Sequence, residues 1–122
     1  MKVLLDSVIM IDHFNGVATA TSYLKQVQSD ASVSVITRAE VLCGFYTAAA
    51  TIAQRLLDRF PTLPIDREAA DLAANLRRTH RWRLPDAFQA ALAKLHGLKL
   101  ATRNVRDFPP KKFDFVEAPY TV

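Results

Sequence analysis

Short apolar runs that alternate with helical patterns limit this 122-residue sequence to one class of fold. KVLL at residues 2–5, SVSVI at 32–36 and LKLAT at 98–102 are typical of buried strands, because they are short and rich in apolar or β-branched residues. TLPI at 62–65 and FDFVEA at 113–118 indicate further short extended segments. Helical patterns separate these runs, so the sequence predicts an α/β sandwich in which helices flank a central, mostly parallel sheet.

The helical patterns carry recognisable start and stop signals. TRAE at 37–40 is typical of a capping box and predicts a helix over 37–46. Asp66 is the expected N-cap of a long helix that runs to about Arg81. Pro85 suits the first turn of a helix that ends before Gly97. Three more helices are predicted near residues 7–14, 19–28 and 49–60.

Size and composition indicate a single domain. The chain is 50% hydrophobic and long enough to bury a core, so we expect residues 1–122 to form one domain. No apolar run approaches the roughly 20 residues that would span a bilayer. The single Cys43 cannot form an internal disulfide, and no leading segment resembles a secretion signal. We therefore expect a cytoplasmic protein with no membrane segment.

Positive charge is concentrated in one part of the chain. Residues 77–112 hold ten lysines and arginines against two acids, Asp86 and Asp107, although the net charge of the whole chain is only +4. Clustered cations of this kind favour a polyanionic partner, because they attract phosphates. The charge alone is equally consistent with RRTHRWR being the solvated end of a helix, whose basic residues complement the helix dipole.

Four acids follow the predicted strands or open a predicted helix. Asp6 comes directly after KVLL, Glu40 lies one helical turn after SVSVI, and Asp107 lies in the loop after LKLAT, while Asp86 opens a helix. Ligands of parallel α/β sheets bind outside the carboxyl ends of the strands, so these carboxylates are expected to meet at one edge. Oxygen ligands without paired Cys or His suit a hard cation, Mg²⁺ or Mn²⁺.

The positions of some of these four acids also have a local structural explanation. Glu40 could close the capping box with Thr37, and Asp86 could simply favour the positive end of its helix. Asp6 has no local partner in the sequence, and a buried acid without one is costly. Asp12 is expected to be a surface or cap residue.

Four stretches then carry a family resemblance: LLDSVIMIDHF, ITRAEVLCGF, LPDAFQAALAKLHG and LATRNVRDF. Their order and spacing resemble those of PIN domain ribonucleases, and most closely the VapC toxins of bacterial toxin–antitoxin pairs. The resemblance spans nearly the whole chain. It implies a three-layer PIN-like fold and a metal-dependent endoribonuclease. By position it implies catalytic roles for Asp6, Glu40, Asp86 and, in the last stretch, Thr102, Asn104 and Asp107.

The mechanism that we predict is hydrolysis of an RNA phosphodiester. Asp6 and Asp86 hold Mg²⁺, for which Mn²⁺ can substitute, and Glu40 and Asp107 complete the acidic rim. Thr102 and Asn104 orient water or a phosphate oxygen. The residues predicted to bind flanking RNA phosphates are Arg77, Arg78, Arg81, Arg83, Arg103 and Arg106. Trp82 either stacks on a base or packs inside the protein.

Two departures from the family pattern leave a second interpretation of the function open. Val8 stands where many relatives have a small polar residue, and Asn104 stands where some have an aspartate. The fourth carboxylate is therefore Asp107 or is absent, which weakens a second metal site. The alternative is a catalytically inactive PIN-like domain that binds RNA or a protein. A phosphoryl-accepting enzyme is disfavoured because DSV lacks a second acid. The resemblance further implies an antitoxin partner and a homodimer.

Overall fold

A five-stranded, fully parallel sheet lies at the centre of the computed structural model, which describes residues 1–122. The strand order is β3-β2-β1-β4-β5. The strands are β1 Val3–Leu5, β2 Ala31–Ser34, β3 Thr62–Leu63, β4 Lys99–Ala101 and β5 Val116–Glu117. The helices are α1 Ser7–Phe14, α2 Ala18–Val27, α3 Val35–Leu42, α4 Thr47–Leu57, α5 Arg67–His80 and α6 Leu84–His96. The predicted α/β class with a parallel sheet is confirmed.

The central strand shows how the sheet separates two hydrophobic cores. Leu4 faces a core built largely from α5 and α6, whereas Val3 and Leu5 face a core that includes α1, α2 and α4. Successive strand residues point to opposite faces, so a three-residue strand contributes to both layers. The result is the predicted three-layer arrangement of helices, sheet and helices.

The start of α3 corrects the predicted capping box. The N-cap is Ser34, whose hydroxyl oxygen accepts a hydrogen bond from the Thr37 backbone N–H at 3.0 Å. The Thr37 hydroxyl instead donates to the backbone carbonyl of Leu5 at 3.1 Å, which ties α3 to β1. Strand β2 therefore ends at Ser34, and α3 spans Val35–Leu42 rather than the predicted 37–46. Glu40 is consequently not a capping-box residue.

Helices α5 and α6 match their predicted bounds closely. Asp66 caps α5 by accepting from the Ala69 backbone N–H at 2.8 Å, and α5 ends at His80 with Arg81 as a left-handed C-cap. Pro85 lies in the first turn of α6, which ends at His96, before the left-handed C-cap Gly97. The predicted helix over 49–60 is displaced, because α4 spans Thr47–Leu57.

The sheet order also fixes where a ligand can bind. From β1 the chain moves outward to β2 and β3, then crosses to the other side of β1 to form β4 and β5. The carboxyl ends of β1 and β4 therefore flank the point at which the strand order reverses. In open α/β sheets this point forms a crevice.

No helix in the structure is both long and apolar enough to span a membrane.

Candidate functional site

The four predicted acids meet in one cleft of about 490 Å³ at the carboxyl edge of the sheet. Each comes from a different part of the chain: Asp6 from the end of β1, Glu40 from α3, Asp86 from the first turn of α6 and Asp107 from the loop after β4. The remaining lining residues are Ser7, Val8, Arg83, Arg103, Asn104, Val105 and Arg106. The expected convergence of distant carboxylates is therefore present in the structure.

Asp6 is held at the floor of the cleft by neutral donors. Its side chain is the N-cap of α1 and accepts from the Ser7 backbone N–H at 2.9 Å. The Thr102 hydroxyl donates to its other carboxylate oxygen at 2.7 Å. Burial raises the pKa of Asp6, and the hydrogen bonds from Thr102, Ser7 and Gln89 only partly oppose that effect. No lysine or arginine pairs with this acid.

Gln89 is a site residue that sequence reasoning missed. It lies one turn after Asp86 on α6 and is buried. Its amide nitrogen donates to Thr37 Oγ1 at 2.7 Å and to Asp6 Oδ1 at 3.3 Å, and its amide oxygen accepts from the Ser34 hydroxyl at 2.7 Å. A polar residue among the alanines of an apolar helix face was the available signal. The network joins Asp6 to the starts of both helices that carry Glu40 and Asp86.

The pKa of Asp86 shows how the charged groups of the cleft affect one another. Burial, followed by the negative charge of Asp6, raises the pKa of Asp86 to about 6, with smaller increases from Asp107 and Glu40. The positive charge of Arg83 acts in the opposite direction. The acids therefore destabilise one another's charged forms. A bound cation would relieve that repulsion.

Asp107 is oriented from two sides. Its carboxylate accepts from the Asn104 side-chain amide at 3.0 Å, and its backbone carbonyl accepts from Trp82 Nε1 at 2.9 Å. The Asn104 backbone N–H in turn donates to Thr102 Oγ1 at 3.0 Å. Asp107 therefore supplies the carboxylate in this loop, and Asn104 supports it.

The donor set fits a hydrated hard cation. The cleft offers carboxylate oxygens, and neither a histidine nor Cys43 lines it. The structure contains no group of three His, Cys, Asp or Glu side chains already arranged around a common metal position. Mg²⁺ does not require one, because it is usually bound by one or two carboxylates and keeps several waters. Asp6 and Asp86 match that limited requirement.

The predicted RNA-binding arginines separate into different groups. Arg83, Arg103 and Arg106 line the cleft, but the Arg103 guanidinium is engaged with Asp12 through contacts of 2.7 and 2.9 Å. Asp12 is therefore a buried ion-pair partner, and its expected assignment to the surface or a cap was wrong. Arg77 donates to the Trp82 backbone carbonyl at 2.6 Å.

The other residues considered for RNA binding, Arg78, Arg81 and Trp82, differ in exposure. Arg78 and Arg81 are exposed. Trp82 is only 5% exposed and its ring packs against Phe108 and Phe113, so it packs inside the protein.

Comparison with known proteins gives consistent matches over nearly the whole chain. A PIN domain family model matches residues 3–113. Ribonuclease VapC10 of Mycobacterium tuberculosis (strain ATCC 25618 / H37Rv) is 36% identical, with 98% of this chain and 94% of the relative covered. A toxin–antitoxin complex from Klebsiella pneumoniae matches with a TM-score of 0.90 and 32% identity, over 99% of this chain and all of that one. FitAcB from Neisseria gonorrhoeae matches in fold, with a TM-score of 0.77 and 24% identity over 96% and 97% of the two chains.

Proposed function

Because the chain belongs to the PIN domain family, we propose that it is a metal-dependent endoribonuclease that hydrolyses RNA phosphodiester bonds. The observation that carries this proposal is the single cleft lined by Asp6, Glu40, Asp86 and Asp107. The near-full-length similarity to a ribonuclease supports the substrate class.

Asp6 and Asp86 are proposed to hold one Mg²⁺ or Mn²⁺, with Glu40 and Asp107 at the rim. When bound, such an ion supplies positive charge for the scissile phosphate and makes a neighbouring water more acidic. Thr102 and Gln89 fix the orientation of the Asp6 carboxylate, so that little reorganisation is needed when a cation binds.

The other polar residues of the cleft are proposed to position the substrate. Asn104 holds Asp107 in place. Arg83 and Arg106 provide positive charge at the edge of the acidic cleft, where flanking phosphates of an RNA strand would pass. Arg103 is assigned a structural role, because its guanidinium is engaged with Asp12.

We propose that this ribonuclease is the toxin of a toxin–antitoxin pair, inhibited by a cognate antitoxin protein. The 32% identical chain from a Klebsiella pneumoniae toxin–antitoxin complex supports that partner. A homodimer, a single domain over residues 1–122 and a cytoplasmic location belong to the same proposal.

A catalytically inactive RNA-binding or interaction domain is the second candidate. Val8 favours it, because this apolar side chain lines the cleft near Asp6 where a polar support for a metal site would be useful. The two candidates differ in a measurable property, which is RNA cleavage that depends on a divalent cation.

The test is cleavage of RNA by the native protein in Mg²⁺ and in EDTA, together with the Asp86→Asn variant. The control is Asp71→Asn, which removes an exposed acid from α5, outside the cleft. We expect Asp86→Asn to fold but to lose more than about 100-fold in activity, since even residues that only support a metal ligand contribute 10–100-fold. Asp71→Asn should retain full activity. No Mg²⁺-dependent cleavage by the native protein would establish the inactive alternative.

A further inference from the structure

A second pocket, of about 310 Å³, borders the acidic cleft. It lies where the end of α5 meets the loop after β4, and it shares Arg106 and Asp107 with the cleft. Its other charged or aromatic lining residues include His80, Arg81, Trp82 and Lys112. We call it the basic pocket.

The cations of the basic pocket are free to bind an external anion. Arg81, Arg106 and Lys112 are exposed, and none of them forms an ion pair, since the two ion pairs of the protein are Arg38–Asp58 and Arg103–Asp12. Asp107 is the one acid in the lining, and its carboxylate is bonded to Asn104. Unpaired positive charge next to the acidic cleft would attract a phosphate that the cleft itself repels.

Hydrogen bonds and ring packing fix the basic pocket relative to the cleft. Arg81 has φ 58°, in the left-handed region, where it ends α5 and donates its backbone N–H to the Arg77 carbonyl at 2.8 Å. The Arg77 guanidinium donates a hydrogen bond to the backbone carbonyl of Trp82, the residue that follows Arg81. The Trp82 indole N–H donates to the Asp107 carbonyl. A continuous chain of contacts therefore sets the position of the Arg81 backbone relative to an acid of the cleft.

The pocket also contains a neutral aromatic surface. The half-buried His80 ring stacks on Trp82 with ring centroids 4.4 Å apart. Burial, followed by the positive charges of Lys112 and Lys94, lowers the pKa of His80 and favours its uncharged form. Free cations beside an uncharged ring are the combination found in single-stranded nucleic acid sites.

We propose that the basic pocket binds a backbone phosphate of single-stranded RNA on one side of the cleavage site. This subsite rests on the proposed ribonuclease function and adds an asymmetry to it. The lining residues that α1 and α3 contribute to the cleft are Ser7, Val8 and Glu40, and they include no lysine or arginine. Phosphates on the side of the basic pocket therefore contribute more to affinity than those on the other side.

The test measures binding of fluorescein-labelled oligo(U)10 by anisotropy, in an Asp86→Asn background that prevents cleavage. The pocket variant is Arg81→Gln/Lys112→Gln. The matched control, Arg67→Gln/Lys111→Gln, removes two exposed charges that lie outside both pockets. Each phosphate contact to a single strand contributes about 0.7 to the slope of log affinity against log salt. Loss of the one phosphate contact in the pocket variant should lower that slope by about 0.7, and the control should leave it unchanged.

A second measurement locates the bound strand. Trp82 is the sole tryptophan of the chain, so its indole N–H gives a single signal in a ¹H–¹⁵N spectrum. That signal should shift when oligo(U)10 is added to the Asp86→Asn protein. It should shift much less when oligo(U)10 is added to the pocket variant. Equal salt slopes for the pocket variant and the control, or an unmoved Trp82 signal, would overturn the subsite.

These outcomes are separable from those of the nuclease proposal. A native protein that fails to cleave RNA, combined with the predicted loss of slope, would reject the nuclease and retain the subsite. Metal-dependent cleavage by the native protein, combined with equal slopes, would retain the nuclease and reject the subsite.

Discussion

A buried aspartate lies at each end of α1, and the surrounding residues shift the pKa values of the two carboxylates in opposite directions. Asp6, before the first turn, is 7% exposed, and Asp12, near the last turn, is 5% exposed. Both carboxylates are therefore nearly inaccessible to solvent, but Asp6 lies deeper among protein atoms than Asp12 and is the more strongly desolvated of the two. The partners that the fold brings to each carboxylate also differ.

Asp12 has a partner of opposite charge. Arg103 donates two hydrogen bonds to it and Tyr120 donates a third, at 2.8 Å. The Arg103 hydrogen bonds are the main reason that the pKa of Asp12 is lowered. The ion pair connects α1 to the loop after β4, and the Tyr120 hydrogen bond connects α1 to the C-terminal segment. It is a structural contact that is complete within the chain.

Asp6 has neutral donors only. Burial dominates, and the pKa of Asp6 is raised. A protein selected for stability alone would pair or replace such a group. An acid that remains buried beside Glu40, Asp86 and Asp107 is instead suited to a cation from outside the chain. The comparison teaches that deep burial combined with the lack of an oppositely charged partner marks the functional carboxylate.

The largest expected effect comes from Asp6→Asn. We expect RNA cleavage in Mg²⁺ to fall more than about 100-fold, because a proposed metal ligand is lost. In EDTA the free energy of unfolding at pH 7 should stay equal to that of the native protein or rise, since an uncompensated buried charge is removed. Activity assays and urea titrations followed by circular dichroism measure the two quantities.

Added Mg²⁺ provides the control for Asp6→Asn. A ligand that binds only the folded state stabilises it, by about 2.7 kcal/mol at 100 times its dissociation constant. The native protein should gain stability in Mg²⁺, and Asp6→Asn should gain much less. A variant that is less stable in EDTA than the native protein would show that Asp6 is a structural residue like Asp12.

Asp12→Asn should produce the next largest effect, on stability. Hydrogen bonds to a charged group contribute about 1.5–3 kcal/mol each in favourable cases. The Arg103 side chain is 39% exposed, so solvent screening reduces this contribution. We expect the free energy of unfolding at pH 7 to fall by about 2 kcal/mol. The matched control is Asp58→Asn, which breaks the exposed Arg38–Asp58 pair and should cost less than about 1 kcal/mol.

The pH dependence of this loss has a definite sign. Because the folded-state pKa of Asp12 is lowered, the stabilisation is present above the unfolded pKa of about 3.9 and is lost as the pH falls through the folded value. The native protein and Asp12→Asn should therefore differ most at neutral pH and converge in acid. A difference that does not shrink below about pH 3 would contradict the ion-pair explanation.

The same two acids show how far the sequence could predict the structure. The alternation of apolar runs and helices is a local pattern, and it correctly placed Asp6, Glu40, Asp86 and Asp107 at one edge of a parallel sheet. The partners of buried polar groups depend on contacts between distant segments. Asp12 meets a residue 91 positions later in the chain, and no local pattern specifies that pairing.

Local patterns also misled where two signals competed. TRAE has the form of a capping box, but Ser34 lies three residues before Thr37 and is the actual cap. The Thr37 hydroxyl is then available for β1, and its oxygen accepts from Gln89. A one-dimensional pattern cannot show which of two hydroxyls caps a helix when the choice depends on a third segment.

Of the three substitutions, Gln89→Met should have the smallest effect, and it tests how the neutral donors orient Asp6. Methionine approximates the shape of glutamine but cannot donate to Asp6, so the acid loses one of the neutral donors that orient it. We expect Mn²⁺ affinity, measured by electron paramagnetic resonance or calorimetry, to weaken about tenfold, as for other residues that support a metal ligand. Stability in EDTA also falls, because the Ser34 hydroxyl loses its acceptor. Gln89→Glu separates the two losses: it retains an acceptor for Ser34 but places a further acid beside Asp6. If Gln89→Met loses stability and binds Mn²⁺ as tightly as the native protein, Gln89 supports the fold alone, and the orientation of Asp6 depends on Thr102 and Ser7.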